Sequence, residues 1–250
     1  ICFLSRRSFM TTKNFEIRSS QLSSPYLILF FLASLIELLW HLFTGWSDYI
    51  HYLAKSLLMP SLLLYFLTQA REREWEFKAK IPIICALVFS FGGDFFLLFP
   101  GSDFFLLGLG SFLIAQICYV YTFRKGPFII EKGRLGSWQF VLGTLLLFFA
   151  GAFLYMLSPY LAALKIPVFA YTGVISLMGL SALSRSGKVS QTGFCMVVLG
   201  AFLFILSDSL IAFTRFRVQD LWVEISYSGF WIMLTYILAQ YFIIRGLLRS

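Results

Sequence analysis

Long apolar runs alternate with short polar breaks along almost the whole chain. The runs predict helices over 25–43, 49–69, 81–100, 103–124, 136–157, 163–184, 191–215 and 222–245. Each holds about 20 residues, and at about 1.5 Å per residue such a helix crosses a hydrocarbon core of roughly 30 Å. The breaks "TGWSD", "PGSD" and "SPYLAALKIP" are rich in turn formers, while "AREREWEFKAK" and "RKGPFIIEKGRLGS" are longer and charged. The pattern predicts an all-α fold, a polytopic membrane helical bundle of about eight transmembrane helices. A single transmembrane domain, 25–245, is expected between a cytoplasmic N-terminal segment, 1–24, and a cytoplasmic tail, 246–250.

Composition agrees. The chain is 59% hydrophobic and only 13% charged over 250 residues, against about 25% charged in a soluble domain. Its mean hydropathy is +0.83. The net charge of +8 is explained by placement rather than by nucleic acid. Arg6, Arg7, Lys13, Arg18, Arg71, Arg73, Lys78, Lys80, Arg124, Lys125, Lys132, Arg134, Arg185, Lys188, Arg245 and Arg249 all fall on one side of the predicted spans. Only Lys165, Arg215 and Arg217 fall on the other, and Lys55 lies within a span. By the positive-inside rule both termini are cytoplasmic, and a bacterial inner membrane is the expected location. The opening segment is polar and basic and is not read as a signal peptide. The four cysteines show no metal spacing, and two histidines, His41 and His51, argue against a site built from several imidazoles. No metal and no cofactor is expected, and no P-loop, GxSxG, HExxH or dinucleotide fingerprint is present.

Charge inside the spans is rare and costly, about 2.5–3.5 kcal/mol at the bilayer centre on insertion scales. "FSFGGDFFLLF" at 89–99 nevertheless carries Asp94, and "LFILSDSLIAF" at 203–213 carries Asp208. The two stretches align. Lys55 with Pro60 and Lys165 with Pro167, and "IAQICYVYTFR" with "LAQYFIIR", follow in the same order. A parallel 4+4 internal repeat is one explanation, and the shared composition of apolar helices is the other. Counting from the basic side at about 1.5 Å per residue puts Glu37 at roughly 18 Å, Asp94 at roughly 20 Å and Asp208 at roughly 24 Å. Lys55, Tyr171 and Tyr227 reach a similar level, so one layer in the outer half of the membrane is the candidate site.

Each member also has a plainer explanation. Asp94 and Asp208 can lock helix packing; Lys55 can snorkel to the outer interface. Glu37 and His41, spaced i, i+4, are taken as a local pair near the outer surface. Gly92 and Gly93 are expected to serve packing, and Glu224 to be interfacial. Two carboxyls sharing a site favour one protonated form, which is the state a general acid needs.

"FSFGGDFFLLF…FFLLGLGSFLIAQICYVYTF", "KIPVFAYTGVISLMGLSAL", "GAFLFILSDSLIAF" and "TYILAQYFIIRG", in that order, resemble the YhhN family from about residue 51 to the C-terminus. That family consists of multi-pass proteins of roughly eight spans, and its members include lysoplasmalogenases, which hydrolyse the vinyl ether bond of lysoplasmalogens. The resemblance implies release of a fatty aldehyde and glycerophosphocholine or glycerophosphoethanolamine. It implies that the family's acidic motifs fall on Gly93-Asp94 and Ser207-Asp208, its Lys–Pro stretch on Lys55 to Pro60 and its sixth-span tyrosine on Tyr171. One position departs: Gln116 stands where members often have His, and Gln is no proton shuttle.

The expected catalytic residues are therefore Asp94 and Asp208, with Lys55, Tyr171, Gln116 and Tyr227 as substrate-binding residues. One protonated Asp donates to the β-carbon of the vinyl ether, and the other carboxylate stabilises the oxocarbenium-like cation and orients water. The implied partners are a lysophospholipid substrate and membrane lipids, with no nucleic acid. Two rival functions remain: a non-enzymatic lipid or small-solute transporter, and an ester-cleaving phospholipase, for which no Ser–His pair is evident.

Overall fold

The structure, a computed structural model, describes residues 24–43, 46–125, 136–216 and 227–250. Its helices are α1 (Pro25–Leu42), α2 (Asp48–Glu72), α3 (Phe77–Phe96), α4 (Ser102–Lys125), α5 (Ser137–Leu157), α6 (Lys165–Leu183), α7 (Gln191–Arg215) and α8 (Ser228–Leu248). All eight are long and apolar enough to cross a membrane; the chain is an integral, multi-pass membrane protein. The predicted spans match within a few residues. Helix α3 starts at Phe77 rather than 81, and α8 begins at Ser228, with the expected residues 222–226 outside the described residues, and runs on through Arg245 and Gly246 to Leu248. Residues 1–23, Lys132, Arg134, Arg217 and Glu224 lie outside the described residues.

Local chemistry sets several helix ends. Ser47 begins α2 by accepting from the backbone N–H of Tyr49, and Ser190 begins α7 by accepting from Gly193. Pro25 occupies the first turn of α1, where its missing N–H costs nothing. Pro60 sits inside α2 and deprives the Ser56 carbonyl of its usual helical donor. Gly101, with φ of +124°, makes the tight turn between α3 and α4 that a side chain would strain.

Sequential helices pack on one another in each half: α1 on α2, α2 on α3 and α3 on α4, then α5 on α6, α6 on α7 and α7 on α8. Across the halves α4 packs on α6, and α8 packs on α1 and α2. Any up-and-down bundle has this order of neighbours, so it does not by itself mark a duplication. Helix α8 is the central post: 67% of its most apolar stretch is buried, against 17% for α5, which faces outward. The α7–α8 contact is made close by glycine. A Cβ on Gly200 would lie 2.8 Å from the Ala239 carbonyl, and one on Gly246 would lie 2.8 Å from Val197 backbone. Without water, helices associate by such close packing rather than by hydrophobic burial.

The two chain ends of the bundle differ in charge. Where α2, α4, α6 and α8 finish, arginines cross-tie the helices. Arg245 donates to the Tyr65 hydroxyl, Arg73 to the Leu248 carbonyl, and Arg124 to Ser181 at 2.9 Å. Arg185 donates to Ser250 at 2.7 Å and lies over the Phe123 ring; its burial pushes the guanidinium down to about 10. At the far end Arg215 reaches the Gly101 carbonyl at 3.2 Å and covers the Phe105 ring.

The glycine contacts predict a contrast. Gly246→Val should lower the unfolding temperature in detergent, because the added atoms meet backbone that cannot give way. Gly151→Ala on α5, with nothing within 4 Å of the added methyl, should leave it unchanged or raise it by up to about 1 kcal/mol equivalent. A thermal scan of both variants checks this.

Candidate active site

Asp94 lies on α3, buried at 4% exposure, just before the helix ends. A charge or acid there must find its partner inside the bundle, because lipid offers none. The partner is Tyr236 of α8, whose hydroxyl donates to Asp94 Oδ2 at 2.7 Å. A second layer of polar contacts runs on behind it. Tyr119 donates to Gln240 Oε1 at 2.6 Å, and Gln240 Nε2 donates to Ser90 Oγ at 2.9 Å, tying α4, α8 and α3 together one turn away.

Asp208 on α7 is held from the other half. Gln116 Nε2 on α4 donates to Asp208 Oδ2 at 3.0 Å and to the Tyr171 hydroxyl at 2.7 Å. Tyr171 on α6 in turn donates to the same Asp208 oxygen. Gln116, Tyr171 and Asp208 thus form one closed network across three helices. The adjacent Ser207 donates to the Ile232 carbonyl at 3.1 Å and pins α7 to α8. Gly93, next to Asp94, makes room for an aromatic ring: a Cβ there would sit 2.5 Å from Phe112. Gly92 likewise faces Ser111, whose hydroxyl donates to the Phe89 carbonyl at 2.6 Å. The two glycines set how near α4 can approach α3.

Both carboxyls open on the same polar cavity of about 310 Å³. Its walls also carry Lys55, His41, Thr214, Arg215 and Tyr236. Lys55 lies within electrostatic reach of Asp94 and of Glu37. A second, narrow cleft of about 60 Å³ lies on the other side of Asp208, between α4, α5, α6 and α7. Its walls are apolar, including Leu109, Leu146, Phe149, Phe153 and Ile175. Asp208 and Phe112 line both spaces. The two spaces therefore meet at Asp208, and Asp94 faces the larger one.

Of the residues singled out in the sequence, Asp94, Asp208 and Lys55 share the polar cavity, and Gln116 and Tyr171 bind Asp208 directly. Tyr227 is elsewhere: it precedes α8 with a positive φ of 57°, is 62% exposed and lines neither space. Glu37 does not line the cavity and is paired with His41 and His51. Tyr236 and Arg215 were not singled out. The signal for Tyr236 was its place four residues before Gln240, on the inward face of a polar-poor helix. Arg215 looked like an ordinary loop charge.

The Tyr236 bond carries a testable cost. Tyr236→Phe leaves the buried Asp94 oxygen without this donor, which should cost about 1–3 kcal/mol of stability in a detergent unfolding assay. Tyr155→Phe, at a position 86% exposed, should change nothing.

A family model described as the YhhN family matches residues 50–247. Lysoplasmalogenase TMEM86A of Homo sapiens is 26% identical to the chain over 228 residues, covering 90% of each. Lysoplasmalogenase TMEM86A of Bos taurus is 26% identical over 231 residues, again covering 90% of each. No solved structure matches.

Proposed function

From the premise that this chain belongs to the YhhN family, we propose that it is a lysoplasmalogenase, hydrolysing the vinyl ether bond of a lysophospholipid with Asp94 and Asp208 as its acid–base pair. The observation that carries this is the position of Asp208 where the larger cavity meets the apolar cleft, with Asp94 on the wall of the same cavity. A lysoplasmalogen has the matching division. Its vinyl ether joins an aliphatic chain to a glycerophosphate headgroup, so the reacting carbons lie at the junction.

The chain occupies the apolar cleft, displacing Phe149 and Phe153 as it enters from lipid. The headgroup occupies the cavity, where Lys55 and Arg215 supply positive charge to its phosphate. One carboxyl, in its acid form, transfers its proton to the β-carbon and leaves an oxocarbenium-like cation. The other, ionised, stabilises that cation and takes a proton from the water that attacks the α-carbon. The resulting hemiacetal collapses to the aldehyde as its hydroxyl loses a proton and the departing glycerol oxygen gains one. One water is consumed, and the two carboxyls end with the protons they began with. Two carboxyls facing one cavity act as a coupled pair, with one proton between them favoured over none or two.

Gln116 and Tyr171 are positioning residues here. They hold the Asp208 carboxyl toward the junction, and Tyr236 does the same for Asp94. Gln116 donates hydrogen bonds and relays no proton, so the proton transfers above are assigned to the two carboxyls alone.

Purified protein supplied with lysoplasmenylethanolamine should release fatty aldehyde. Asp94→Asn and Asp208→Asn should each lower the rate by about 10²-fold or more, the usual share of a general acid or base. Folded wild type that releases no aldehyde overturns the activity; Asn variants that retain the wild-type rate overturn the mechanism. Intact lipid moved across proteoliposomes would instead mark a transporter, and released fatty acid a phospholipase.

The tyrosine clamps predict a graded effect. Tyr171→Phe should lower kcat more than it raises KM, because it moves Asp208 without touching the headgroup. Lys55→Met should chiefly raise KM. Steady-state kinetics of the two variants separate these outcomes.

A further inference from the structure

Both histidines of the chain converge on one carboxylate. Glu37, on α1, is fully buried. His41 lies one turn further along the same helix, and His51 comes from the first turns of α2. His51 Nδ1 is 2.9 Å from Glu37 Oε2, and His41 Nε2 is 3.5 Å from Glu37 Oε1. One ligand atom from each of the three lies within 4.8 Å of the other two. We propose that Glu37, His41 and His51 form a binding site for a divalent transition-metal ion of the zinc class.

Four observations support the site. First, the donor set of two neutral imidazoles and one carboxylate suits zinc and its first-row neighbours. Second, tetrahedral bonds of about 2.0–2.1 Å put adjacent ligand atoms about 3.3 Å apart, and the two imidazole–carboxylate separations, 3.5 Å to Oε1 and 2.9 Å to Oε2, fall on either side of that value. Third, Glu37 Oε1 and His41 Nε2 are buried and lie 3.5 Å apart with no hydrogen-bond partner among the described residues. A buried acceptor and a buried ring nitrogen left in this state are costly unless something sits between them. Fourth, both rings are held from behind. Trp40 stacks on His51, with centroids 4.2 Å apart and planes at 18°. Gly229 gives His41 its space, since a Cβ there would meet His41 Nδ1 at 2.4 Å.

The ion has a way in. His41 and His51 are 17% and 12% exposed, and His41 lines the polar cavity. Three protein ligands leave a fourth position for water or a ligand oxygen. Lys55 lies within electrostatic reach of Glu37 and weakens affinity for a dication without occupying the site. Bound metal would tie α1 to α2 at the far end and present positive charge beside the cavity. The hydrolysis proposed above has no step that passes through it.

The test needs no activity. Full-length protein prepared without a polyhistidine tag, stripped with a chelator and dialysed, is titrated with Zn²⁺ and Co²⁺. Wild type should bind one equivalent of each, the Co²⁺ form should show the visible absorption of a four-coordinate site, and Zn²⁺ should raise the unfolding temperature. His51→Ala should lose all three. Glu37→Gln keeps the shape and hydrogen bonding but removes the charge, so it serves if His51→Ala does not fold, and it should weaken binding at least tenfold. Wild type that binds neither ion overturns the proposal. So does a folded His51→Ala or Glu37→Gln variant that binds like wild type.

Discussion

A polar group inside a membrane bundle must find its partner within the protein, since lipid supplies none. That constraint organises this structure. Asp94 reaches across to Tyr236 on α8, and Asp208 gathers Gln116 and Tyr171 from α4 and α6. The Tyr119–Gln240–Ser90 chain supports the first carboxyl. The Asp94–Tyr236 and Gln116–Asp208 bonds join helices distant in the sequence, so the acidic side chains that burden the bundle also fix how its halves meet. Glycines make this possible. Gly93 admits the Phe112 ring beside Asp94, and Gly200 and Gly246 let α7 approach α8, the helix that presents Tyr236.

The same arrangement divides the interior into two environments. The cleft on one side of Asp208 is mainly Phe, Leu and Ile, while the cavity on the other adds Asp94, Lys55, Thr214 and Arg215 to its apolar lining. In the proposed reading an amphiphile binding across this boundary places its polar–apolar junction at Asp208. Fold and proposed chemistry are linked by burial. The helices that exclude water elsewhere also bring the two acids to one small wet space.

The bundle was legible because hydrophobic runs of spanning length have few other meanings, and the carboxyls were legible because charge in such runs is rare. Lys55, Gln116 and Tyr171 were found at the same level for the same reason or through family motifs. Depth along a helix says nothing of direction around it, however. Tyr227 was placed in the layer by depth, yet it stands exposed before α8, while Tyr236, two turns on, meets Asp94. Twelve tyrosines in apolar or interfacial surroundings give no pattern that separates the two. The convergence on Glu37 was hidden differently. Its i, i+4 partner His41 was visible, but His51 arrives only when α1 and α2 fold back on each other, and two histidines in 250 residues read as too few for a metal site when their convergence on one carboxylate was not visible.

Proton delivery to carbon is the central claim, and it leaves an isotopic record. When lysoplasmalogen is hydrolysed by the wild-type protein in D₂O, the deuterium delivered to the former β-carbon of the vinyl ether should arrive from one face only. The aldehyde, reduced at once to the alcohol and read by NMR as a chiral ester, should therefore show a single configuration at that carbon. Equal amounts of the two configurations, the mark of protonation by unbound solvent, would contradict delivery by the Asp94–Asp208 pair.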